Sequence, residues 1–360
     1  MKMLFVFALF SFFKLGVSAQ ENGIKNIVFE GAGIRGIAYC GAISVLESKG
    51  KLSAIEKVGG NSAGAITALC VSLGYSSPEV AELLYTTNFS KFNDGRFFFA
   101  GGINRINKYF GWYRGDKFVK WLEKIIEKKT GNADISFEEL YNKGFKDLYV
   151  TATVLNKQKL VVLSRKTYPR MKIKDAVRIS ISIPLYFEAV YVDIEGNTFQ
   201  RPKNKQGLDI MIDGGFIGNF PIKIFDSIEI KNSKEFIIIN YATLGFRIDN
   251  DKQIESDNNK KELAVMPVNN LKEYGRAFYN MIIENLNRHN LSDDDWKRTV
   301  SISDGNVRPR IRKLSKTEIA LLIENVTRCG SHRHRHMLFN SLALQLIHQI
   351  VRKRTLCITL

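Results

Sequence analysis

The chain has 360 residues, 45% of them hydrophobic, which excludes a largely disordered polymer and leaves room for one large or two modest globular domains. Its formal net charge of +17 suits anionic partners, acidic lipid surfaces among them, without choosing between them. Four cysteines are too few for a disulfide framework at this length, and no Cys-x-x-Cys or Cys/His spacing points to a resident metal.

Met1-Lys2, an apolar run from Leu4 to Phe13 broken by Ser11, and the small residues of Val17-Ser18-Ala19 read as a signal peptide over residues 1–19. It is too short to span a bilayer. The mature chain is then expected to begin near Gln20 and to be secreted, or held in the periplasm or envelope. From there, Asn26 to Glu30 reads as a buried strand. The glycine-rich Gly31-Ala32-Gly33-Ile34-Arg35-Gly36 follows, then a helix to Lys49. A second strand ends near Val58, a tight turn carries Ser62, and a helix of small apolar residues starts at Ala63. Pro78 fits the first turn of a further helix.

Residues 91–115 are basic, glycine-rich and crowded with aromatics, and read as an insertion or cap. Its rings and cations are expected to rest at a lipid interface or to pack on the core. Lys117 to Lys129 is an amphipathic helix. "DLYVTATVLNKQKLVVLS" reads as a hairpin turning at Asn156-Lys157-Gln158, and Lys174 to Ile183 as a helix stopped by Pro184. "AVYVDI", "LDIMID" and "EFIIIN" are expected to be strands, the last one buried. The alternation predicts an α/β fold. The expected domains are a catalytic unit over 20–250, a helical part over 251–328 and a basic tail over 329–360.

Gly60-Asn61-Ser62-Ala63-Gly64 is a G-x-S-x-G between a strand and a helix. Such a turn strains the serine backbone, needs small neighbours to close, and lifts the hydroxyl clear of the sheet above a helix N-terminus. A tight turn with serine as a mere helix cap is the bland alternative. Asp213 ends a predicted strand, and Gly214-Gly215 turn the chain away from it. That is where open α/β sheets place functional groups. No histidine precedes His289, which sits in a polar helical segment; a histidine-dependent esterase using Ser62, Asp213 and His289 stays as an alternative. The opening G-x-G-x-x-G also permits a dinucleotide site with Glu56 as the ribose-binding carboxylate.

Taken together, these segments resemble the patatin-like phospholipases, in a bacterial-type secreted form. The resemblance rests on Gly31 to Gly36 with Arg35, on Ser62 between Gly60 and Gly64, on Asp213-Gly214-Gly215, and on "AVRISISIPLYFEAV" with Ser182, Pro184 and Phe187. Ser180 and Ile183 depart from that last block, and Ala32 stands where a glycine is usual. The resemblance implies a three-layer α/β/α fold with a mostly parallel central sheet. It implies a Ser62–Asp213 dyad that works through an acyl-enzyme, with the backbone of Gly31, Ala32, Gly33, Arg35 and Gly36 as the oxyanion hole. The substrate would be a phospholipid or other lipid ester met at a membrane surface, with no cofactor and no nucleic acid. A non-catalytic membrane- or partner-binding protein on the same scaffold remains the rival.

Overall fold

The computed structural model describes residues 23–95, 98–231, 234–259, 262–288 and 290–305, with positions 307, 317, 318 and 322 beyond. The expected signal peptide over 1–19, the tail over 329–360 and His289 lie outside the described residues. Strand β1 (Asn26–Phe29) is buried from end to end and leads through a 3-10 turn (Gly33–Ala38) into α1 (Tyr39–Ser48). Then follow β2 (Lys57–Gly60), α2 (Ala63–Ser72) and α3 (Ser77–Thr86). Ser76 and Glu79 form a capping box at the start of α3, with Pro78 in its first turn. The stretch expected as an insertion contains α4 (Phe98–Tyr109) and β3 (Gly111–Tyr113).

Next come α5 (Asp116–Thr130), α6 (Phe137–Asn142), β4 (Asp147–Val154), β5 (Lys159–Ser164) and α7 (Ile173–Ser180). They are followed by β6 (Leu185–Phe187), β7 (Val190–Val192), β8 (Thr198–Phe199), β9 (Asp209–Asp213) and α8 (Gly215–Gly218). The chain continues through β10 (Ser227–Lys231), β11 (Lys234–Ile238), β12 (Thr243–Asp249), α9 (Asp251–Asn259), α10 (Leu271–Arg288), α11 (Asp293–Lys297) and β13 (Thr299–Ser303).

Among the described residues the main sheet has nine strands, in the order β13-β12-β1-β2-β4-β9-β7-β8, with β5 on β4. The run from β13 to β4 is parallel throughout, and β5, β9, β7 and β8 are attached antiparallel. Helices flank it, giving the three-layer α/β/α architecture. One detail of the pairing positions the site. Strand β5 occupies one edge of β4 from Tyr149 to Val154, so β2 and β9 must share the other edge. Strand β2 lies along Asp147 to Val150, and β9 arrives from the opposite direction along Ala152 to Val154. Their carboxyl ends therefore meet at Thr151.

The expectation that "EFIIIN" is a buried strand is overturned. Among the described residues Lys234–Ile238 pairs only with β10, in a two-stranded ribbon whose residues are all exposed. The buried position beside β1 belongs to Thr243–Asp249, a strand interrupted by charge and therefore not expected from the apolar pattern. Arg247, fully buried, lies 3.1 Å from Glu30 and 3.3 Å from Asp249, and it also faces Glu284 at 3.4 Å. Arg288 pairs with Asp249, Asp257 and Glu284. The polar C-terminal helices thus lock onto the sheet through buried ion pairs as well as through β13.

In this cluster four carboxylates share two guanidiniums, so the most deeply buried acid keeps its proton. Burial, only partly offset by Arg247, pushes Glu30 up to about 8. The folded state holds a proton on Glu30 that the unfolded chain gives up near 4.5, so this group's contribution to stability declines as pH rises between those values. Each pKa unit is worth about 1.4 kcal/mol, which sets an upper bound of several kcal/mol. Glu30→Gln is expected to flatten the fall in melting temperature from about pH 4.5 to pH 8. An equally steep fall in the variant would show that Glu30 is not the group responsible.

Candidate active site

Ser62 follows β2 with φ 51° and ψ −119°, a combination that costs a non-glycine residue roughly 1–3 kcal/mol. Local bonds hold it there. The Ser62 amide donates to Ser180 Oγ at 2.8 Å, and the Ser62 carbonyl accepts from Ala65 and Ile66 at the start of α2. The flanking glycines are required by space. A Cβ on Gly60 would stand 2.3 Å from the Gly64 carbonyl oxygen, and one on Gly64 2.3 Å from that of Phe29.

Because β2 and β9 meet head to head, Asp213 arrives beside this turn. Its Oδ1 accepts from the Gly215 amide at 2.8 Å and from Asn61 Nδ2 at 2.9 Å, and the Ser62 side chain is close enough to favour the charged carboxylate. Gly214 begins the turn into α8. Burial raises the Asp213 pKa above the ordinary carboxylate range, opposed by the Gly215 and Asn61 hydrogen bonds and by the nearby Ser62 side chain. Such an acid is a better proton acceptor than a solvated aspartate. The structure thus brings Ser62 and Asp213 together.

Asn61 organises the pair. It is fully buried and its carboxamide is used on both sides. Its Nδ2 donates to Asp213 and, at 3.2 Å, to Asn219 Oδ1; its Oδ1 accepts from Thr151 at 3.0 Å and from Ser180 at 3.3 Å. None of Asn61, Thr151 or Asn219 was singled out from the sequence, and Ser180 was noted only as a departure from the family block. Asn61 occupies the open position of G-x-S-x-G. Ser180 has a definite role: it ties Asn61 to the Ser62 backbone.

The glycine-rich loop divides its labour differently from the expectation. The Gly31 amide is spent on the Asn219 carbonyl at 3.1 Å, and the Gly31 carbonyl accepts from Asn219 Nδ2 at 2.9 Å. The Arg35 amide bonds the Ala32 carbonyl, while its guanidinium pairs with Asp304 at 3.0 Å. Gly31 and Arg35 therefore brace the loop and do not offer amides to an oxyanion. Gly36 lies inside the 3-10 turn, packed near Ala63. Ala32 has φ −136°, so alanine fits without strain. Gly33, at φ 55°, and Ile34 open the turn, and their amides have no backbone acceptor among the described residues. Both border the same pocket as Ser62. Ile34 is thus an oxyanion-donor candidate that the sequence did not single out.

That pocket is about 120 Å³ in volume and apolar, walled by Ile66, Leu84, Phe89, Phe92, Phe118 and Phe187. Glu56 precedes β2 at the end of the sheet away from the loop, exposed and paired with Lys25 at 2.8 Å, so it cannot serve a ribose beside Gly31–Gly36. Cys40 and Cys70 are free and buried, packed as small hydrophobes. Among the described residues, no group of three or more His, Cys, Asp or Glu is arranged to hold a metal ion, and no helix is long and apolar enough to cross a membrane.

The profile of the patatin-like phospholipases matches residues 27–226, which contain the loop, the serine turn and Asp213. The chain belongs to the patatin-like phospholipase family. Relatives include the uncharacterized protein R571 of Acanthamoeba polyphaga mimivirus, 29% identical over 71% of this chain and 74% of its own. The probable lipid hydrolase 463L of Invertebrate iridescent virus 6 is 28% identical over 61% of this chain and 69% of its own. VipD from Legionella pneumophila shares the fold, with a TM-score of 0.50 at 17% identity over 90% of this chain and 67% of that one. Patatin-like membership implies a lipid ester hydrolase.

The raised Asp213 pKa carries a kinetic consequence. If Asp213 is the base that takes the Ser62 proton, it must be ionised to act, so kcat/KM on an ester should fall on the acid side with a midpoint above the ordinary aspartate value. Asn61→Ala removes a donor to the charged form and should move that midpoint further up. An unshifted acid limb in Asn61→Ala would separate Asn61 from Asp213 ionisation.

Proposed function

We propose that this chain is a lipid acyl hydrolase of phospholipase A or lysophospholipase type, acting through Ser62 and Asp213. The observation that carries the reading is the strained, pocket-facing Ser62 set beside a buried aspartate of raised pKa. Ser62 Oγ attacks the ester carbonyl carbon, and its proton passes to Asp213. Negative charge develops on the former carbonyl oxygen, opposite the amides of Gly33 and Ile34. Losing one such donor typically costs roughly 3–4 kcal/mol of transition-state stabilisation.

The carbon–oxygen bond to the alcohol then breaks, and Asp213 returns its proton to the leaving oxygen. Water attacks the acyl-Ser62 ester with Asp213 again taking the proton, and collapse frees the fatty acid and restores the Ser62 hydroxyl. The apolar pocket suits an acyl chain, and its rings exclude water from the reacting carbonyl. Work outside the cytoplasm, in the manner of a bacterial secreted enzyme, rests on residues 1–19 and is part of the same proposal.

Three variants test it on a fluorescent phospholipid panel. Ser62→Ala and Asp213→Asn should each lower turnover by at least about 10³-fold, whereas His289→Ala should stay within about twofold of wild type. If His289→Ala is as damaging as Ser62→Ala, the dyad is wrong. A wild type inert toward every ester would favour a binding protein on the same scaffold.

A further inference from the structure

Helix α4 shows solvent the residues a helix normally hides. Its sheltered side holds Gly102, set against the Trp112 ring, and Arg105, which is only 5% exposed and donates to the Trp112 carbonyl at 2.7 Å. Phe99 is 72% exposed, and Ile103, one turn along the same stripe, is 53% exposed. Just past the helix, Phe110 is also exposed, and its carbonyl accepts from the Leu185 amide at 3.1 Å.

Phe110 and Leu185 share a second anomaly. Their φ values are 64° and 66°, a left-handed conformation that is rare for bulky residues and clusters where function holds it in place. The strain presents two large apolar side chains to water, with Leu185 64% exposed. Leu185 also stands between Ile183 and Phe187, which both line the pocket beside Ser62. The patch is therefore joined through one short strand segment to the wall of the site. Cations border it: the Lys205 ammonium lies 4.8 Å from the Phe110 ring centroid and donates to the Lys108 carbonyl, and Lys108 is itself exposed.

We propose that α4, Phe110 and Leu185 form a bilayer-docking surface that lets an acyl chain pass from an anionic phospholipid leaflet over Leu185 into the pocket. This rests on the lipid-hydrolase reading for its purpose, though not for its physics. An apolar stripe inserted at headgroup depth, with lysines at its border and a chain of net charge +17, matches an anionic interface. A second copy of this chain would bring the same lysines against one another.

The full chain carrying Ser62→Ala, which removes turnover, is sedimented with phosphatidylcholine vesicles containing phosphatidylglycerol. Adding Phe99→Ser with Ile103→Ser should weaken partitioning by about tenfold. Adding Leu185→Gly, which keeps the backbone conformation and deletes the side chain, should weaken partitioning without lowering the melting temperature. With Ser62 intact, the Phe99/Ile103 pair should lose about tenfold on vesicle phospholipid and stay within about twofold on a soluble short-chain ester. Unchanged partitioning, equal loss on both substrates, or a wild-type dimer that these substitutions dissociate would overturn the proposal. Wild-type inactivity together with variant-sensitive partitioning would sink the hydrolase reading and leave the docking surface standing.

Discussion

The site depends on one constraint of strand pairing: β2 and β9 share a single edge of β4 and abut end to end at Thr151. A parallel strand delivers the serine, and an antiparallel strand entering from the far side delivers the aspartate. No loop has to span the gap between them. The Asn61 carboxamide fills the junction, taking a hydrogen bond from Thr151 on β4 and giving one to Asp213 on β9. Because every polar atom of that carboxamide is used, the junction is buried without the penalty of an orphaned group. The strained Ser62 backbone is sustained by the same network, through Ser180.

A second layer of restraint reaches the loop from the C-terminal part of the chain. Asn219 bonds both backbone groups of Gly31, and Asp304, directly after β13, holds the Arg35 guanidinium. Glu30, the residue before the loop, lies in the charge cluster with Arg247, which the α10 residues Glu284 and Arg288 help to balance. Buried ion pairs are weak contributors to net stability, yet removing one partner is costly because the other charge stays buried. The helices after residue 250 therefore help hold the loop that faces the nucleophile, although none of the residues nearest Ser62 comes from them.

Much of this site was legible in the sequence wherever its demands are local. Close backbone approach permits only glycine at 60 and 64, so the serine turn announces itself within five residues. A strand ending in Asp213-Gly214-Gly215 is likewise a short-range pattern, and the three blocks in order carry the family and its α/β sheet. The polar junction was not legible. Asn61, Thr151, Ser180 and Asn219 are separated by up to 158 residues, and although Asn61 and Ser180 lie in recognised blocks, nothing local says that the four side chains meet.

The apolar pattern also misled where charges compensate at a distance. "EFIIIN" has the composition of an interior strand but found no place in the sheet, because Thr243–Asp249 took it and neutralised Arg247 and Asp249 against partners on other elements. By itself, the sequence determined the chemistry on offer: a strained serine, a strand-end aspartate and a loop rich in backbone amides. Only the tertiary structure decided which amides remain available, which polar side chains brace the serine and the aspartate, and which apolar residues face water. Those outcomes depend on hydrogen bonds and burial between segments far apart in the chain, and no local spacing encodes them.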